Sequence, residues 1–177
     1  MGVMSTALAA VDLDDMPHDF RLAMRNLAAG VSIVTTGEGR GRAGLTATSV
    51  NSLSIDPPCL LVCIGRASGT LAALQKNRSF GVSVLDAGQQ AIAERFAGNG
   101  GQHGAARFNG FDWTTGVTGA PLAEGALSAF DCTLETLVEW HSHAIVVGRV
   151  RSVHTNEGAA PLTYWRGGYG SFDPQAG

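Results

Sequence analysis

One fifteen-residue stretch constrains this chain more than any other: Gly44-Leu45-Thr46-Ala47-Thr48-Ser49-Val50-Asn51-Ser52-Leu53-Ser54-Ile55-Asp56-Pro57-Pro58. Five hydroxyl side chains and one amide fall within its first eleven residues, in a segment that otherwise reads as β. Pro-Pro ends it, because proline has no N–H to give to a ladder. An apolar run follows at once, Cys59-Leu60-Leu61-Val62-Cys63-Ile64, and closes in Gly65-Arg66-Ala67-Ser68-Gly69-Thr70. Two adjacent strands of this kind present hydroxyls, backbone amides and one guanidinium to something rich in hydrogen-bond acceptors.

The rest of the chain supplies a β-rich frame. Pro17 can open a helix. Phe20, Ala23, Met24 and Leu27 then recur at helical spacing, and Gly30 ends it. Val31 to Thr36 reads as a β-branched strand, followed by a Gly37-Glu38-Gly39-Arg40-Gly41 turn. Ser68 can cap a short helix reaching about Lys76, and Asp86 can cap another over residues 89–97. Ser79 to Leu85 alternates like a half-buried strand. Long β runs are expected over 126–140 and 144–153, and a short one over 162–165. Six or seven strands with few intervening helices argue for a small antiparallel barrel with helices packed outside rather than repeated βαβ units. At 177 residues, 45% hydrophobic and 15% charged, a single domain with a real core is expected.

Several function classes drop out. A net charge of -3 and a pI near 5.9 give no reason to expect nucleic-acid binding. Lys76 is the only lysine; the scattered arginines suit a specific small anion better than a polyanion. Residues 1–15 read as a flexible leader, acidic where a signal peptide would be basic, and nothing approaches a membrane span. The three cysteines, an odd number inside apolar runs, imply free thiols and a cytoplasmic setting.

The glycines at 37, 39 and 41 lack the helix that a dinucleotide fingerprint requires. Cys59 and Cys63 read as buried thiols rather than metal ligands, and no metal is expected. His141 and His143 are two apart, which on a strand places them on one face; a surface, core or ligand-contacting role stays open for them. Glu135 and Glu139 read as solvated or cross-strand residues. A phosphorylated heterocycle, such as a flavin nucleotide, fits the hydroxyl-rich segment and its arginine.

The order of motifs adds a resemblance. Gly30 to Thr36, Gly44 to Ser52, Asp56-Pro57-Pro58, Leu60 to Ile64, Ser79 to Leu85, Ala93 to Ala97, His143 to Gly148 and Pro161 to Tyr169 follow one another as in the short-chain flavin reductases, over residues 18 to 172. The resemblance implies a mainly β, FMN-binding split β-barrel of antiparallel Greek-key type, spanning residues 16–173, with short flanking helices. It implies a homodimer that transfers a hydride from NADH or NADPH to FMN or FAD and supplies a separate flavin-dependent oxygenase. It places Thr46, Ala47, Thr48, Ser49, Asn51, Ser52, Cys63 and Tyr169 at the flavin, Arg66 and Ser68 near its phosphate, and His143 beside flavin and nicotinamide. Where the family often has Gly-Asp before that histidine, this chain has His141-Ser142. An FMN-bound oxidase of the pyridoxamine-phosphate-oxidase type, or a non-catalytic flavin carrier or sensor, is the alternative.

Overall fold

A computed structural model describes residues 16–157 and 160–172, so the expected leader lies outside the described residues. The elements run α1 (Met16–Met24), β1 (Ala29–Gly30), β2 (Ser32–Thr36), β3 (Ala43–Ala47), β4 (Asn51–Ile55), β5 (Pro58–Gly65), α2 (Gly69–Asn77), β6 (Ser79–Val84), α3 (Gln90–Ala97), β7 (Trp113–Thr115), β8 (Pro121–Ala123), β9 (Ser128–Trp140), β10 (His143–Thr155), β11 (Leu162–Trp165) and β12 (Gly168–Ser171). The strands beyond the expected six or seven are mostly pieces of two to four residues.

The hydroxyl-rich segment is two strands, not one. In the main sheet, ordered β3-β2-β6-β9-β10-β5-β4, they occupy opposite edges. Laid flat, that sheet would hold β3 and β4 about 29 Å apart at ~4.8 Å per strand. The chain from Ala47 to Asn51 spans at most about 14 Å. The sheet must therefore curl until its edges approach, and the result is an antiparallel split barrel. Ser49 fastens the seam: its Oγ accepts from the Cys63 N–H and donates to the Cys63 carbonyl, both at 3.1 Å. Asp56 and Pro57 turn the chain, and Pro58 opens β5 opposite Ile55.

The interior is filled from both sides of the barrel wall. Val34, Val62, Phe80, Val82, Cys132, Ala144 and Val146 are fully buried, joined by Leu71 and Leu74 of α2. Gly148 is required there, because a Cβ would collide with the Phe80 ring. A second cluster packs α3 through Ile92 and Phe96 against Val31, Leu85 and Leu162, with Phe96 edge-on to Phe108 at 5.0 Å. The buried Asp131 carboxylate is satisfied by the Thr118 N–H at 2.8 Å and the Thr118 hydroxyl at 2.5 Å.

Local signals explain the element ends. Ser68 caps α2 by accepting from the Thr70 N–H at 3.2 Å. Asp86 caps a short 3-10 turn, Ala87–Gln89, that runs directly into α3. The 37–41 glycines form a turn that leads into β3, with no long helix behind it. One reading is corrected: His141 and His143 do not share a strand. His141 occupies the two-residue turn between β9 and β10 with φ +48°, so the period-2 argument never applies to it. Among the described residues, no helix is long and apolar enough to cross a membrane.

Candidate active site

The seam of the barrel opens into a cavity of about 940 Å³. One wall is the connection Thr48-Ser49-Val50 with Asn51; facing it are Arg21 and Met24 of α1, Arg25 in the turn just after it, and Tyr164, Arg166 and Gly167 of the β11–β12 hairpin. Among the described residues, three arginines line this cavity and no acidic residue does, in a chain whose net charge is -3. Arg25 Nη2 donates to the Arg166 carbonyl at 2.6 Å. Arg166 donates from Nε and Nη2 to Asn26 Oδ1 at 3.1 and 2.9 Å, and lies 4.5 Å over the Trp165 ring. These two arginines lock α1 to the C-terminal hairpin. The exposed Arg21 side chain has no hydrogen-bond or ion-pair partner among the described residues, which leaves its fork for an anion.

A second chamber of about 530 Å³ shares Thr48, Tyr164 and Gly167 with the first. Its other walls include Thr46, Gln90, Glu94, Asn99 and Tyr169. Gln90 Nε2 holds Glu94 Oε1 at 2.8 Å. Burial, and then the charge of Glu94, push the Tyr169 phenol above its ordinary value. Tyr164 and Tyr169 meet edge-to-face, 5.1 Å between centroids.

A third group gathers at the end of β5. His143 pairs with Gly65 on one side and Trp140 on the other. Its ring leans over Gly65, where a Cβ would stand 4.0 Å from Nε2. Ser142 Oγ contacts His143 Nδ1 at 2.9 Å. Arg66 pairs with Glu139 at 2.8 Å and donates to the His141 carbonyl at 3.2 Å; both charged side chains are about half exposed. Glu135 likewise pairs across strands, accepting from Arg149 Nη2 at 3.0 Å.

The expected site residues therefore fall into two sets. Thr48, Ser49 and Asn51 line the first cavity, while Thr46, Thr48 and Tyr169 line the second. Two hydroxyls are already engaged: Thr46 donates to the Ala93 carbonyl at 2.6 Å, and Ser49 serves the seam. Ala47 is buried in the core, and Ser52 lies on β4 opposite Leu60. Cys63, Arg66, Ser68 and His143 lie outside both linings; the Ser49–Cys63 bonds connect their region to the seam. The residues that sequence reasoning missed are Arg21, Arg25, Arg166 and Glu94. Only the first two carried a signal, since a four-residue spacing puts two arginines on one helix face.

The outer face of the same strands is apolar and uncovered. Trp140, His143 and Gly65 form one cross-strand row, and Val138, Ile145 and Cys63 the next. Trp140 is 68% exposed and Val138 48%.

A mainly β split barrel with a cationic, hydroxyl-edged cleft at its seam is the architecture of a nucleotide-cofactor-binding protein. Residues 24–173 match the flavin reductase like domain, and the chain belongs to that family. It is 40% identical over 146 residues to an FMN reductase (NADH) RutF of Pseudomonas syringae, covering 82% of this chain and 81% of the relative. It is 43% identical over 145 residues to RutF 2 of Methylorubrum extorquens, covering 82% and 83%. Among solved structures, the NADH:FAD oxidoreductase SgcE6 of Streptomyces globisporus superposes with a TM-score of 0.84 at 32% identity, over 94% of this chain and 99% of that one. BorF, the flavin reductase component of a bacterial two-component tryptophan halogenase, gives 0.83 at 34%, over 90% and 99%.

Proposed function

We propose that this chain is an NAD(P)H:flavin oxidoreductase: it moves a hydride from NADH or NADPH to FMN or FAD and hands reduced flavin to a separate flavin-dependent oxygenase. The observation that carries the reading is the cavity that three arginines, and no acidic residue among the described ones, line beside the Thr48–Asn51 connection. Its volume lies within the range that encloses cofactor-sized ligands. SgcE6 has been solved with NAD and FAD fragments bound, and BorF is a component of a two-component system; both support the same assignment here.

The residues present fit a flavin. Thr48 and Asn51 offer a hydroxyl and an amide at the cavity wall, and Ser49 holds their connection rigid against β5. Arg66 and Ser68, at the N-terminus of α2, are the proposed phosphate end. When bound, flavin supplies the hydride-accepting ring; binding, orientation and exclusion of water are what the chain adds. His143, steadied by Ser142, is the group proposed to face the nicotinamide.

The active form proposed is a homodimer of the domain spanning residues 16–173. α1 has no buried side chain, and its Phe20, with Leu27 just beyond its end, is more than 60% exposed. With the apolar outer face of β4, β5, β10 and β9, they are the surface a second copy would cover. An interface above ~2,000 Å² in total is expected for such an assembly. Three free cysteines are consistent with the cytoplasmic setting proposed.

The test is NADH oxidation with FMN, FAD and riboflavin compared under anaerobic mixing. A reductase bleaches added flavin over many turnovers. An oxidase would need its own organic substrate, and a carrier would consume no NADH; either result would remove the reductase assignment.

A further inference from the structure

The cleft is electrically divided. Among the described residues, its first chamber has Arg21, Arg25 and Arg166 and no carboxylate; its second, past Thr48 and Tyr164, has Glu94 and no cation. A nicotinamide dinucleotide is divided in a matching way. Its negative charge sits centrally on the pyrophosphate, and a neutral adenosine ends one arm. NADH and NADPH differ only by a phosphate on the 2′-oxygen of that adenosine.

We infer that Glu94 selects NADH over NADPH, by accepting the adenosine ribose hydroxyls in the second chamber and repelling a 2′-phosphate. The inference rests on the reductase reading and deepens it. An ionised carboxylate only accepts hydrogen bonds, so it suits a diol and opposes a phosphate. With the pyrophosphate against the free Arg21 fork, the adenosine arm has the adjoining chamber to enter. Gln90 holds one Glu94 oxygen at 2.8 Å, which orients the carboxylate and leaves its second oxygen available. Burial first, and then the neighbouring Glu94 charge, raise the Tyr169 phenol on the same chamber wall.

Neighbouring cations do not cancel it. Arg95 is turned away, donating to the Asn109 carbonyl at 3.2 Å and lying 5.1 Å over the Phe111 ring. Arg107 spends its donors on the carbonyls of Gly44, Phe96 and Gln102. The edge-to-face pair Tyr164 and Tyr169 supplies aromatic wall for a purine.

Glu94→Gln keeps the size of the side chain and its contact with Gln90 and removes only the charge. Measured on the full chain with FMN, kcat/KM for NADPH relative to NADH should rise by at least about tenfold. Calorimetric titration should show the ratio of NADP⁺ to NAD⁺ dissociation constants fall by a similar factor. Gln90→Glu, a second carboxylate on the same wall, should move both ratios the opposite way. The FMN-to-FAD preference should not change. Unchanged nucleotide ratios in a Glu94→Gln protein that melts like wild type would overturn the inference. So would a change confined to FAD over FMN, which would put the flavin's own adenylate in this chamber. A wild-type protein that consumes no NADH when FMN, FAD or riboflavin is added would sink the reductase reading instead, and the NADP⁺ to NAD⁺ binding ratio would still judge Glu94 on its own.

Discussion

The two faces of the curled sheet have similar raw material and opposite fates. The inward face of β5, β6, β9 and β10 carries Val62, Val82, Cys132 and Val146 at zero exposure, under the ring of Phe80. The outward face carries Val138, Trp140 and Ile145, and each is more than a third exposed. One chain completes the first surface and cannot complete the second. His143 stands in the uncovered rows, between Trp140 and Gly65. Folding and the proposed assembly thus use separate surfaces, and His143, the proposed nicotinamide contact, lies on the uncovered one.

The sharpest way to break that division is from within. Phe80 is fully buried and fills the space that Gly148 leaves open. Phe80→Ala should cost about 3–5 kcal/mol, since no neighbouring backbone can collapse into the hole. Urea unfolding should show it as a large drop in midpoint. A loss below about 1 kcal/mol would mean that the inner face is not a fixed core.

Cys132 tests the same face by pH. Burial first, then the neighbouring Asp131, push its thiol from 9.0 to about 12. The folded chain therefore keeps a proton that the unfolded chain releases above pH 9. The stabilisation is complete below pH 9 and is lost as pH rises toward 12. By pH 10.5 the loss should be about 2 kcal/mol, a slope that Cys132→Val should remove. Urea melts at pH 8 and pH 10.5 on both proteins would measure it, and equal slopes would deny that the thiol is sealed.

How much of this could be read in the sequence follows the same division. Ser68 and Asp86 announced their caps, and the alternation around Ser79–Val84 and the β9–β10 runs announced strands, because those signals are local. The 44–58 segment did not announce that it would break at Thr48–Val50. Alternation is the same whether two strands are adjacent or lie at opposite edges of a barrel. The arginine wall was hidden for a different reason. Arg25 and Arg166 are 141 residues apart and meet only after the β11–β12 hairpin docks on α1. Glu94 was one helix carboxylate among fifteen acidic residues until the second chamber formed around it.

On the outer face the expected effects are smaller for the fold and specific to assembly. Ile145 is 37% exposed, opposite Cys63 and Val138. Ile145→Asp should change single-chain stability by no more than about 0.5 kcal/mol, as exposed substitutions usually do. It should weaken self-association by at least about tenfold, because it buries a carboxylate in an apolar contact. Sedimentation at micromolar concentration, with circular dichroism as the control for folding, separates the two. A variant that still sediments as a dimer would move the interface off this face.

The smallest effect is the one closest to the chemistry. Ser142 closes the β9–β10 turn and places its Oγ 2.9 Å from His143 Nδ1. A neutral hydroxyl can hold the ring there as donor or acceptor, where a carboxylate could only accept. With Oγ donating, the ring proton rests on Nε2, the nitrogen that leans over Gly65. Ser142 is then a positioning residue for His143. Ser142→Ala should leave the fold and flavin affinity unchanged and raise KM for NADH by about threefold to tenfold, the scale of one net hydrogen bond. Ser142→Thr, which keeps the hydroxyl, should restore most of that loss. His143→Ala should be worse than Ser142→Ala, and adding the serine change to it should do nothing further, because the two act through one ring. Additive losses in that double variant would show that Ser142 acts on the turn and not through His143, and would leave the outer face with a role in assembly alone.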